Sequence, residues 1–212
     1  MCIRDRRYFI VGPPNCGSKE LSLQLSGHFK GEALSMGDLL RKEIVKGTEI
    51  GEEIEPLVSE GVYVQDQLVV DVLHKHLMQI PVSSVIFVEG FPKTLVQYKL
   101  LLEKGILPDG LIRLDDFLIK KKEKAQQKFG EDKGSKGEDY LEIFERQMVP
   151  VENASKDLMH KVHLSEGNTL EKIARVLRMR LATHISSPYK ILLLRNYYFF
   201  SLKKINKRKF KK

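Results

Sequence analysis

Residues Phe9 to Leu21, FIVGPPNCGSKEL, join a short apolar run to a glycine-containing turn and then to a helical pattern. A turn of this kind offers backbone N–H groups and a helix N-terminus to phosphate oxygens. Gly12 and Gly17 stand five residues apart, with Asn15 and Cys16 between them, the spacing of a GxxxxGK[ST] phosphate cradle. That pattern calls for lysine after the second glycine, but the residue there is Ser18 and the lysine follows one position late, at Lys19. One residue is a rotation of about 100° on a helix, so Lys19 is expected to point away from a bound phosphate unless the loop has slipped. Alone, the turn is a weak signal, since a proline-rich strand-to-helix connection without any ligand reads the same way.

Two further stretches bring residue types suited to a nucleoside monophosphate: ALSMGDLLRKEIVKGTEIGEEIEPLVSEGVYV (33–64) and FVEGFPKTLVQ (87–97). Arg41 follows Ser35-Met36-Gly37-Asp38 closely and can present a bidentate fork to a phosphate. Gly90 permits close backbone approach, Lys93 adds a cation, and Gln97 offers a donor and an acceptor to a base edge. Taken singly, each reads as an ordinary solvated residue. Taken in order and at this spacing, they resemble the adenylate kinase family. That family carries a Thr-Gly-Asp-Leu-Leu-Arg run, then a Gly-x-x-Val segment, matched here by Gly61 to Val64, then Asp-Gly-Phe-Pro-Arg-Thr with a glutamine beyond. The resemblance covers residues 8–182.

The resemblance fixes the register of the opening loop. Counting back from Ser35, the family's loop lysine falls at Ser18 with no insertion, and Glu20 takes the place of its threonine. Met36 replaces a threonine of the monophosphate site, Glu89 the aspartate before Gly90, and Lys93 an arginine. Lys124 and Lys128 match two family arginines that stack on the donor adenine and grip its phosphates; Arg146, in IFERQ, matches one that contacts the transferring phosphate. The implied donor site is Gly12, Asn15, Cys16, Gly17, Ser18, Lys19 and Lys124, and the implied AMP site is Met36, Arg41, Val64, Gly90, Lys93 and Gln97. Arg146, Lys128 and the lost-lysine position Ser18 carry the implied catalysis. The activity implied is ATP + AMP to 2 ADP, with Mg²⁺ accompanying ATP, weakened because the loop is degenerate. The alternative is a catalytically silent nucleotide-binding or structural module, a fragment of a larger multidomain protein. A monomer is expected, cytoplasmic, with ciliary or flagellar association if it belongs to such a larger protein.

The elements that must position these residues are legible as alternating runs. Strands are expected at 8–11, 32–35, 84–89, 110–115 and 161–165, and helices at 17–28, 38–46, 50–60, 66–79, 94–104, 117–129, 140–156 and 168–182. Asp38, Asp66 and Asn168 are the expected N-caps, and Gly47, Gly61 and Gly105 the expected stops. Strand–helix alternation implies an α/β three-layer sandwich on a five-stranded parallel sheet, and the resemblance makes it P-loop NTPase-like with YFIV central. The lid, about residues 128–139 (KFGEDKGSKGED), is short and polar, and it has no cysteines to hold zinc. The monophosphate-binding part is about 36–66, within a domain expected at 7–186.

Composition narrows the field further. The net charge of +8 suggests nucleic acid, yet residues 190–212 hold nine basic residues and no acid, and residues 1–7 add +2, which leaves 8–189 at −3. Binding to nucleic acid is therefore not expected of the folded part. The two cysteines, Cys2 and Cys16, exclude a disulfide framework, and His74 and His76, two apart on a helix, do not form a metal pair. The run ILLLRNYYFF is too short for a membrane span. MCIRD resembles a translated sequencing adapter, making residues 1–6 an expected scar, and the basic tail 187–212 has the composition of AT-rich read-through and is not expected in the fold.

Overall fold

The computed structural model describes residues 6–13, 16–60, 62–81, 84–115 and 140–163, with 171, 173–175 and 177. Its strands are β1 (Arg6–Val11), β2 (Glu32–Ser35), β3 (Val85–Glu89), β4 (Gly110–Asp115) and β5 (Met159–His163). They form one parallel sheet in the order β2-β3-β1-β4-β5, so YFIV is central as expected. The helices are α1 (Ser18–Phe29), α2 (Met36–Val45), α3 (Glu49–Ser59), α4 (Asp66–Leu77), α5 (Leu95–Glu103) and α6 (Tyr140–Ala154). The expected lid and the helix at 117–129 lie outside the described residues, as does Asn168; of the last expected helix, residues 171, 173–175 and 177 are helical.

Alternation along the strands builds two apolar layers. Tyr8 and Ile10 of β1, with Phe87, Ile112 and Leu114, meet Leu21 and Leu25 of α1 and Ile173 and Leu177 on one face. Phe9 and Val11, with Ile86, Val88 and Leu111, meet α2 to α6 on the other. Both faces are covered, the arrangement a parallel sheet requires.

Two expected N-caps and several element boundaries depart from expectation: β1 begins at Arg6, two residues early, and α4 and α6 end two residues early, at Leu77 and Ala154. Ser35, not Asp38, is the residue before α2, and Gln65, not Asp66, precedes α4. In both cases the aspartate lies inside the helix and its carboxylate is drawn to other side chains: Lys19 and Arg41 for Asp38, Tyr63 for Asp66. β5 begins at Met159, two residues early, because its pairing with β4 starts at Leu111. Gly47 and Gly105 do end helices with positive φ, 59° and 73°.

A buried carboxylate joins the α2–α3 hairpin to α4. Glu43 is fully buried, accepts from Thr48 Oγ1 at 2.8 Å and pairs with Lys75 Nζ at 2.8 Å, while His76 Nε2 lies 3.6 Å away. Burial opposes its ionisation most strongly, but the bonds from Lys75 and Thr48 together outweigh it and hold the carboxyl below its ordinary value. His76 is buried with Nδ1 on the Val72 carbonyl. A folded-state pKa below the unfolded one means stability that is present above about pH 4.5 and lost as pH falls through the folded value. Glu43→Gln is expected to cost about 1.5–3 kcal/mol at pH 7, the range for hydrogen bonds to a charged group. It is also expected to flatten the acid limb of a melting-temperature series taken from pH 7 to pH 3. An unchanged acid limb would place the acid sensitivity elsewhere.

Candidate functional site

The carboxyl ends of β1, β2 and β3 lie side by side, with Ser35 opposite Glu89 and Ile10 opposite Glu89 in the strand registers. This edge is where parallel α/β sheets hold ligands. Gly12 opens the loop after β1, where a Cβ would collide with Cys16 Sγ, and buried Cys16 thereby fills the turn. Gly17, at φ 80°, is the left-handed residue that starts α1. Asn15 lies outside the described residues, as do Lys124 and Lys128.

Ser18 is the first residue of α1, and its hydroxyl donates to Glu89 Oε1 at 2.8 Å. Ser35 Oγ donates to the other oxygen, Oε2, at 2.9 Å. Glu89 is thus a hub joining the ends of three adjacent chain segments, a role sequence reasoning did not assign to it. The hints were a carboxylate ending an apolar strand, VIFVE, and its match to the family's aspartate before Gly90.

Lys19, one residue further, is turned to α2. Its Nζ lies 2.6 Å from Asp38 Oδ2, and Arg41 Nη2 lies 2.5 Å from Asp38 Oδ1. Hydrogen bonds from Lys19 and then Arg41 hold the Asp38 carboxyl below its usual range, against a small opposing effect of burial. Glu20 follows on the exposed side of α1 and accepts from Gln24.

The third group lies at the start of α5. Gly90, at φ 77°, donates its N–H to the Ile10 carbonyl at 2.9 Å and leads into the cis Phe91–Pro92 bond. A Cβ at Gly90 would approach Met36, the buried first residue of α2. Gln97 is buried and its amide is engaged at both ends: Oε1 accepts from the Lys93 N–H at 2.7 Å, and Nε2 donates to Tyr63 Oη at 2.9 Å. Tyr63 in turn donates to Asp66 at 2.6 Å. Burial, then the Asp66 carboxylate, push this phenol well above its ordinary range, so it stays a neutral donor. The Tyr63 bond uses one of the two Gln97 amide N–H groups, a contact that the sequence did not foretell. Val64 is buried beside this group, and Lys93 has an exposed side chain.

The comparisons bear on what this edge belongs to. The family model for adenylate kinase matches residues 10–160, well over half of the chain. The chain belongs to the adenylate kinase family. Among curated relatives it is 30% identical to an adenylate kinase of Finegoldia magna over 122 residues, 54% of this chain and 57% of that protein. It is 30% identical to one of Maricaulis maris over 128 residues, covering 57% and 68%, and 33% identical to one of Phocaeicola vulgatus over 110 residues, covering 50% and 58%. The match spans roughly half to two thirds of these relatives' length.

In this family member Arg146 sits exposed on α6, next to Glu145, which anchors the helix to Arg113 of β4. Arg113 was not singled out from the sequence, although a lone arginine in the apolar strand GLIRLD was the available signal. Among the described residues, no helix is long and apolar enough to cross a membrane.

Proposed function

We propose that the chain is an adenylate kinase-like nucleoside monophosphate kinase whose turnover is much weakened. In this reading an AMP phosphate oxygen attacks the γ-phosphorus of ATP in line, the β–γ bridge breaks, and two ADP leave. Mg²⁺ arrives with ATP as part of the substrate. AMP is held by Met36, Arg41, Val64, Gly90, Lys93 and Gln97. The donor phosphates meet the loop from Gly12 to Ser18 with Lys124, while Arg146 and Lys128 serve the transferring group; Lys19, expected beside the donor, turns to α2 instead.

The observation that carries the weakening is the bond from Ser18 to Glu89. Where transfer needs a cation, the first turn of α1 supplies a hydroxyl already committed to a carboxylate, and Glu20 follows. Phosphoryl transfer rests on positioning and charge stabilisation, so a missing donor costs about 10²–10³ in rate. The same bond favours the second reading, a catalytically silent AMP- or ADP-binding or structural module, part of a larger multidomain protein. A monomer in the cytoplasm accords with either.

A coupled assay with ATP, AMP and Mg²⁺, run beside calorimetry of AMP alone, separates the two. Slow turnover above a no-enzyme control supports the kinase; binding without turnover supports the silent module. Arg41→Ala is expected to weaken AMP binding by about 1.5–3 kcal/mol, the range for charge-assisted hydrogen bonds. Unchanged affinity in that variant would remove Arg41 from the site.

A further inference from the structure

Lys19 is cast by its sequence position as a displaced donor-loop cation, but its surroundings tell otherwise. It is the second residue of α1, about 100° around the helix from Ser18. That rotation sends Ser18 inward to Glu89 and Lys19 sideways to the first turn of α2. There it shares the Asp38 carboxylate with Arg41, one cation on each oxygen. All three side chains are about half exposed, at 55% for Lys19, 46% for Asp38 and 60% for Arg41, so a ligand can reach them.

A second observation marks the same place. Ser35 precedes α2 with its hydroxyl turned to Glu89, and it makes no side-chain cap. The first-turn amides of α2 are thus left without the side-chain acceptor that usually takes one of them, at the positive end of the helix dipole. The Arg41 guanidinium lies back over this turn, 3.4 Å from where a Gly37 side chain would begin.

We propose that Lys19 is an acceptor-side residue: with Arg41 it forms a two-sided grip on the phosphate of a nucleoside monophosphate. Asp38 keeps the two cations together by offsetting their mutual repulsion before the phosphate arrives. An ammonium has three donors and a guanidinium five, more than one carboxylate can accept, so the phosphate adds to the cluster without having to evict Asp38. The exposed ion pairs are weak and screened, so the two side chains are free to adjust to the incoming dianion. The consequence is a transfer of charge from the donor half of the cleft to the acceptor half. This rests on reading the α2 edge as the monophosphate site.

The test is calorimetry on the full chain with AMP and, separately, ATP, for wild type, Lys19→Met and Lys19→Arg. Lys19→Met is expected to weaken AMP by about tenfold or more, as for loss of a charge-assisted bond, and to leave ATP within about twofold. Lys19→Arg is expected to restore most of the AMP affinity, which a merely structural role for the lysine would not produce selectively. If Lys19→Met binds AMP as wild type does, or loses ATP instead, the assignment of Lys19 is overturned while the monophosphate site stands. If wild type itself binds no AMP, the monophosphate reading falls and the assignment with it.

Discussion

Arg113→Met is expected to lower stability by about 3–5 kcal/mol, the cost of breaking a buried ion pair from one side. Arg113 is 4% exposed on β4, flanked along the strand by Ile112 and Leu114 of the core. Its Nε lies 2.9 Å from Asp115 Oδ1 and its Nη2 2.5 Å from Glu145 Oε2, while Nη1 pairs with Glu152. The guanidinium also lies 5.6 Å from the Phe144 ring centroid. Methionine keeps much of the volume but takes the cation away from Asp115 and Glu145; Glu152 retains Lys161 at 2.6 Å. For a chain of this length, 3–5 kcal/mol corresponds to a melting-temperature drop of roughly 6–20 °C. The companion variant Arg113→Met/Asp115→Asn/Glu145→Gln neutralises the two carboxylates that lose the guanidinium, leaves the Glu152–Lys161 pair in place, and is expected to recover a good part of the loss. A single-variant drop under about 1 kcal/mol, read by urea and thermal unfolding, would mean that the network holds nothing. The functional consequence is positional, since the same network docks α6, the helix that carries Arg146, onto the sheet.

The strands were legible wherever an apolar run had to be buried on both faces. YFIV and VIFV carry no charged residue for a solvent-facing side, which fits the inside of a covered parallel sheet; only Val85 is partly exposed. EALS has no such pattern, and it forms β2 because it is the edge strand, paired on one side to β3 and only partly buried. What sequence could not show was where polar side chains end up. Asp38 and Asp66 have the residue type of an N-cap, but the type does not say whether a nearby cation or phenol will compete for the carboxylate. Lys19, Arg41 and Tyr63 do compete, and the residues before the two helices are Ser35 and Gln65. Glu43, four residues from Leu39 on the buried side of α2, could have been noticed as a charge on an apolar face. Its partner Lys75 comes from another helix 32 residues away, a pairing that only the fold creates. The rotation of Lys19 away from the loop was readable from helix geometry; that Asp38 stands where it points was not.

Ser18→Lys combined with Glu20→Thr is expected to raise phosphoryl-transfer turnover by at least about tenfold, within the range for restoring one preorganised charge stabiliser. The hub at Glu89 sets where such a lysine would go. Ser18 directs its hydroxyl at Oε1, so a lysine there emerges from the first turn of α1 toward the mouth of the cleft, with Glu89 as its nearest carboxylate. Ser35 still holds Oε2, and the lysine's long stem lets its ammonium reach beyond Glu89 to the donor phosphates. Glu20→Thr removes a negative charge from the same turn, where repulsion of ATP opposes that gain. The gain should appear in kcat with ATP as the varied substrate, while AMP affinity stays unchanged, because Lys19 and Arg41 are left in place at Asp38. Lys19→Ala on the wild-type background supplies the opposing case. A loop slipped by one residue gives brisk wild-type turnover that Lys19→Ala abolishes through loss of ATP binding. Turnover that is brisk in the wild type and survives Lys19→Ala would mean that neither position supplies the donor cation, and would move that role to Lys124 or Lys128. A double variant no faster than wild type would show that the missing lysine is not what limits transfer.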